Sequence, residues 1–193
     1  MKNIILITMI LFSNWIIGQN MMPNFPFDSA TNKISYSEVI KIDSTIDKDE
    51  LYKRARAWFS KTYNSSKDVI QFENKDDCKI IGKALFKVSF KTIIGSNYPG
   101  GYINYTISIY TKNGKYKYEI TDFYHTGIIT ESGRVPDGGA CEQLINENRG
   151  FMGNSYKKTY LLFLIQLDEN IRLLVDSLTK EMNKPSIKDD KDW

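Results

Sequence analysis

YINYTISIYTK, NG and KYKYEITDFYH follow one another from Tyr102 to His125, two alternating runs on either side of Asn113-Gly114. Asn-Gly supplies two successive residues that tolerate positive φ, which is what the type I′ turn of a tight hairpin requires. Lys112 is then opposite Lys115, and the register places Ile109/Tyr118, Ile107/Ile120 and Ile103/Tyr124 on one face. Tyr110/Lys117, Ser108/Glu119, Thr106/Thr121, Asn104/Phe123 and Tyr102/His125 take the other, because opposed residues of an antiparallel pair share a side. The first face is core and the second is polar with aromatics. Asp122 falls on the apolar side opposite Tyr105, where either a hydrogen bond at the rim or a slip of register must accommodate it.

Upstream, Lys79 to Thr92 alternates in the same way. Ile80, Ala84, Phe86, Val88 and Phe90 share one parity, and Lys83, Leu85, Lys87, Ser89 and Lys91 the other. Gly95 to Gly101, with Pro99, reads as the turn into the hairpin. Asp68 to Glu73 reads as a short strand with Ile70 and Phe72 on one face. Before it, Asp47 with Glu50 forms a capping box, and Ile46 with Leu51 a hydrophobic staple, at the start of a helix running to Thr62. Leu51, Ala55, Trp58, Phe59 and Thr62 form its apolar stripe, opposite Lys53, Arg54, Arg56 and Lys61. Ile34, Tyr36, Glu38, Ile40 and Ile42 alternate with Ser35, Ser37, Val39 and Lys41 in a first strand.

Downstream, residues 127–155 form a long glycine-rich connection around a short helix within Ala140 to Asn148. A long helix comes next, from Tyr156 to Met182, with Leu164, Leu167, Ile171, Leu174, Leu178 and Met182 as its main stripe, and residues 184–193 read as a charged, disordered tail. The order predicts an α+β domain, β-α-β4-α, with an antiparallel sheet and helices packed on one face. The expected buried set is Ile40, Leu51, Trp58, Phe59, Phe72, Phe86, Val88, Ile107, Ile109, Ile120, Leu164, Ile171 and Leu174.

The 193 residues are 41% hydrophobic and 25% charged, which excludes a collagen-like, low-complexity or wholly disordered chain. A net charge of +3 does not mark a dedicated nucleic-acid or membrane-surface protein. Met1-Lys2, the apolar run through Ile17 and the Gly18-Gln19 junction read as a signal peptide over residues 1–18. That run falls short of the roughly 20 residues that span a bilayer, so cleavage rather than anchoring is expected. Residues 19–32, with Pro23 and Pro26, then form an arm outside the core, and residues 33–183 make one domain. Cleavage implies a periplasmic or secreted protein with no later membrane span and no nucleic-acid partner. The first cysteine is Cys78, far from the junction where a lipid anchor needs one.

Export permits Cys78 and Cys141 to pair, although two cysteines fix a count and not a distance. His125 is the only histidine and no ligand spacing accompanies it, so no metal is expected. No phosphate or dinucleotide loop occurs, so no cofactor is expected either. Cys141 with His125 and an acid such as Asp122, Asp137 or Glu142 has the residue types of a thiol or acid–base hydrolase, without a family signature around the cysteine. The polar sheet face offers the other chemistry. Lys83, Lys87, Lys91 and Lys117, with Tyr102, Tyr110, Phe123 and His125, could hold an anionic or sugar-like polymer or an envelope protein, or could form an ordinary solvated face.

The runs DELYKRARAWF (Asp49 to Phe59), SSKDVIQ (Ser65 to Gln71) and KIIGK (Lys79 to Lys83) resemble a family of exported bacterial proteins of unknown function with a TATA-box-binding-protein-like fold. The similar region covers roughly Ile34 to His125. The resemblance implies that fold and an envelope or secreted setting, and brings no catalytic residues. The leader, the lack of a catalytic or cofactor motif and the glycine-rich connection beside the lysine and aromatic face point to a non-enzymatic binding or assembly module of the cell envelope. It would use the open sheet face or residues 127–155.

Overall fold

The computed structural model describes residues 22–92, 95–131, 133–145 and 154–185. The leader over residues 1–18, and the tail beyond Pro185, lie outside the described residues. The elements run β1 (Tyr36–Lys41), α1 (Lys48–Thr62), α2 (Ser66–Val69), β2 (Ile70–Asn74), β3 (Lys79–Lys91), β4 (Asn97–Lys112), β5 (Lys115–Thr126), β6 (Ile128–Thr130), β7 (Gly133–Val135), β8 (Gly139–Ala140), α3 (Cys141–Ile145) and α4 (Asn154–Met182). The main sheet has the order β1-β5-β4-β3-β2, with every neighbouring pair antiparallel and β8 added beside β5. Both long helices cover one face of it, which is the α+β arrangement that the two parities and two helical stripes predict.

The start of α1 is explained by its cap: the Asp47 carboxylate accepts the Glu50 N–H at 2.7 Å. Its apolar stripe buries Leu51, Ala55, Trp58 and Phe59. Arg54, expected on the solvated side, is instead buried. It ion-pairs with Glu50 at 2.9 Å and donates to the Met182 carbonyl, satisfying an orphan acceptor at the end of α4. Helix α4 buries Tyr160, Phe163, Leu164, Leu167, Ile171, Leu178 and Met182 against the sheet and α1. Gly82 of β3 permits this close layering, since a Cβ there would lie 2.6 Å from Phe59.

The β4–β5 hairpin keeps the expected register from Lys112/Lys115 to Thr106/Thr121, then slips. Asp122 has φ 59 and is the extra residue of a bulge, after which Asn104 pairs with Tyr124 and Ile103 with His125. One inserted residue reverses the parity of the rest of the strand. Phe123 and His125 therefore turn into the core, 1% and 0% exposed, while Tyr124 turns out. A second irregularity lies on β4, where Val88 pairs with Gly101 and Ser89 with Pro99, leaving Gly100 unopposed. The expected turn over Gly95 to Gly101 is thus mostly the opening of β4.

Three further expectations fail locally. Residues 66–69 form a helical turn before β2, and a register shift between Ile70 and Phe72 separates their faces, so that Phe72 is 47% exposed. Phe25, in the arm, is buried, and Phe27 bridges Ile34, so the core reaches into the arm. The long connection carries a two-stranded β6–β7 ribbon, then β8 and α3. Ile40, Phe86 and Leu174 pack against the core as half-buried residues.

Candidate functional site

The sheet face away from the helices is built in rows, because each strand contributes alternate residues and the registers align them. One row runs Val39, Lys117, Tyr110, Lys79 across β1, β5, β4 and β3. The next rows pair Lys41 with Lys115 and Lys112, and Ser37 with Glu119, Ser108 and Ile81. Beyond these come Lys83 with Thr106 and Thr121, Leu85 with Asn104 and Tyr124, and Lys87 with Tyr102 and Thr126. Lys91 lies at the far end of β3, opposite Asn97.

Tyr110 is held between cations: the Lys79 ammonium is 5.2 Å and that of Lys117 5.9 Å from its ring centroid. Lys79 also lies 5.8 Å from the Phe72 ring. A cation over an aromatic face is attracted by the ring quadrupole. Lys117 ion-pairs with Glu119 at 3.2 Å, both half exposed. Among the described residues, Lys41, Lys79, Lys83, Lys87, Lys91, Lys112 and Lys115 form no ion pair. Their fields add over a surface on which Glu119 is paired with Lys117, so an approaching polyanion meets an excess of positive charge.

Six of the expected binding residues are on this face: Lys83, Lys87, Lys91, Tyr102, Tyr110 and Lys117. Phe123 and His125 are not, for the reason of the Asp122 bulge. Residues not anticipated there include Lys79, Lys112 and Lys115, which their strand parity would have shown, and Phe72, which the β2 irregularity concealed.

His125 has a different task. Its Nε2 bonds the Gly100 carbonyl at 2.9 Å and its Nδ1 accepts the Gly138 N–H at 2.9 Å, which sets the Nε2–H tautomer. The ring stacks on Phe163 at 4.9 Å and meets Tyr160 edge-on at 5.4 Å. Burial lowers its pKa, against the opposing pull of the Gly100 carbonyl and the Asp137 charge. The imidazole is a neutral strut that ties β5 to the Gly100 bulge and to the start of β8.

The hydrolase reading finds no support in this geometry. Both ring nitrogens are bonded to backbone groups, so neither is available as a base. Cys141 is wholly buried, and burial pushes its thiol up to about 12, with the Glu142 charge adding to the rise and the His125 backbone N–H working against it. The candidate acids are engaged elsewhere: Asp122 with Lys33, Asp137 with the Gly127 N–H and Glu142 with the Ile34 N–H. Among the described residues, no group of three His, Cys, Asp or Glu converges as a metal site.

The possible Cys78–Cys141 bridge is not formed in the structure, where both cysteines are free and buried. The Cys78 carbonyl accepts the Thr111 N–H, whereas Cys141 comes directly after Ala140, which pairs with Tyr124 beside Asn104. Those points of β4 are roughly 20 Å apart at about 3.3 Å per residue, against a Cα separation of about 4.4–6.8 Å in a disulfide. Native, unreduced protein is therefore expected to show no alkylation at either thiol, and two alkylations after unfolding without reductant. Intact mass distinguishes this from a bridge, which would give none in either state.

Residues 36–126 match the domain of unknown function DUF4468 with TBP-like fold. A solved TBP-like protein from Parabacteroides distasonis superposes with a TM-score of 0.55 at 17% identity, covering 80% of this chain and 96% of its own. A DUF4468 family protein from Bacteroides ovatus superposes with a TM-score of 0.56 at 15% identity, covering 85% of this chain and 93% of its own. No curated protein matches the chain. At these identities the two structures speak to the fold alone, and their agreement with the matched segment is what joins sequence to architecture. Over residues 36–126 the chain is thus similar to a domain of unknown function, DUF4468, with a TBP-like fold.

Proposed function

We propose that this chain is a non-enzymatic, exported binding module that holds an anionic polysaccharide of the bacterial cell envelope on its open sheet face. The observation that carries this reading is the lattice of lysines without ion pairs, interleaved with Tyr102, Tyr110, Tyr124 and Phe72 on one side of the sheet. Lysines attract carboxylate or sulfate groups along a polymer, and aromatic faces stack on sugar rings. Support for export comes from the leader-like run over residues 1–18, and support for binding rather than catalysis from the occupied His125 and the buried Cys141.

The test is binding to polygalacturonate with Lys83, Lys87 and Lys117 replaced together by glutamate. Affinity is expected to fall by at least about tenfold and to lose much of its salt dependence, because exposed charge contacts are screened by salt. Lys53→Glu, on the outer side of α1, is expected to leave binding unchanged. Equal affinity in the triple variant would overturn the reading.

A further inference from the structure

Strand β2 pairs with β3 only from Lys79 to Gly82, so β3 from Lys83 to Lys91 has β4 on one side and no strand on the other. Ser89 shows where its backbone points. The Gln166 side chain of α4 accepts the Ser89 N–H at 3.1 Å and donates to the Ser89 carbonyl at 2.8 Å. A single carboxamide thus makes both bonds that the next strand would make. Since the amide groups of a strand point alternately to its two sides, Lys83, Leu85 and Lys87 aim theirs outward as Ser89 does. The Ile70–Gly82 bridge takes up the Lys83 N–H, whereas among the described residues no strand pairs with Leu85 and Lys87 on that side. Leu85 is 53% exposed, and beside it a cleft of about 790 Å³ opens toward residues 62–69, lined by Tyr63, Ser65, Val69 and Ala84.

We propose that the β3 edge from Lys83 to Lys87 is the docking site of an extended acidic segment of a partner protein, which adds to the sheet as a further strand. Main-chain hydrogen bonds would supply the affinity, and alternate side chains the specificity. The charges select the occupant. Lys83 and Lys87 flank Leu85 on the open face, so a second copy paired about Leu85 would set Lys83 against Lys87 twice over. Like charges directly opposed across strands are destabilising, which is how lysines protect an edge from self-pairing. A segment that alternates carboxylates with apolar residues meets both requirements. Its acids lie beside the lysines, and its apolar side chains enter the cleft near Val69 and Ala84, whose lining also includes Asp68 and the Lys33-paired Asp122. The site shares Lys83 and Lys87 with the polysaccharide reading, but it adds the backbone of one edge, which that reading does not use.

The probe is a synthetic alternating Glu-Val octapeptide, added to the full, isotope-labelled chain and read by amide hydrogen exchange. Exchange at residues 85 and 87 is expected to slow by about tenfold or more, while residues 84 and 86, already paired with β4, stay unchanged. An alternating Lys-Val octapeptide is expected to give no protection. Leu85→Pro removes an outward N–H and no bond to β4, so it is expected to weaken the Glu-Val peptide by about tenfold and to keep polygalacturonate binding. Lys117→Glu should do the reverse, so that either reading can fail without the other. The proposal is overturned if the alternating protection is absent, if the Lys-Val peptide gives it equally, or if the chain shows it by dimerising without peptide. Should Leu85→Pro fail to fold, the amide pattern in the unaltered chain decides.

Discussion

Trp58→Ala is expected to destabilise the fold by about 3–5 kcal/mol, the range for truncating a buried aromatic. Trp58 is on the inner stripe of α1 and is almost wholly buried. Its ring meets Phe59 at 5.1 Å and Tyr63 at 5.8 Å, both edge-on, and its Nε1–H donates to Ser177 Oγ of α4 at 2.9 Å. Alanine would leave a cavity where the two helices and the sheet meet, and would remove the indole bond between the helices. For a chain of this size the thermal midpoint should fall by about 6–20 °C. Trp58→Phe keeps most of the volume and removes the bond to Ser177, so that its expected loss is smaller, about 1–2 kcal/mol from the bond and the smaller ring together. Urea unfolding of both variants measures the difference. A loss below about 1 kcal/mol for the alanine variant would mean that α1 is not anchored through this residue.

Acid should destabilise the protein through His125. Its pKa is lowered in the folded state by burial, so the unfolded chain binds the proton more readily. The neutral ring's contribution is complete above the unfolded pKa of about 6.5 and is lost as pH falls below it, through the folded value. The structural reason is specific. The Gly138 N–H donates to Nδ1, and a protonated Nδ1 would point a hydrogen at that donor in a site closed by Phe163 and Tyr160. One proton changes stability by up to about 1.4 kcal/mol per pH unit across that window. The unfolding midpoint in urea is therefore expected to drop between pH 7.5 and pH 5. His125→Gln, which does not titrate, should be less stable at pH 7.5 and lose most of this slope. An unchanged slope in that variant would assign the acid sensitivity to other groups.

The hairpin around Asn113-Gly114, the capped start of α1 and the stripe of α4 were all readable in the chain, and with them the α+β architecture. Local rules account for this. Turn geometry, capping and hydrophobic period are decided by residues a few positions apart, and Asp47, Trp58 and Ile107 are found where those rules put them. The polar face was equally legible down to Thr106/Thr121, because the period of two carries a register along a strand until something interrupts it. Asp122 was the interruption. As a charged residue on the apolar parity it marked the place, but whether it would be hydrogen-bonded or bulged depended on partners distant in sequence: Lys33 at 2.6 Å, and the Phe123 ring set between Tyr36 and Tyr105. Tertiary packing then decided the rest of the candidate site. It drew Phe123 and His125 inward, kept Cys141 far from Cys78, put Arg54 under the end of α4 and left Phe72 in solvent. A bulge gains or loses free energy through the long-range contacts of the side chains it redirects, and an alternation read along one strand contains no term for those contacts.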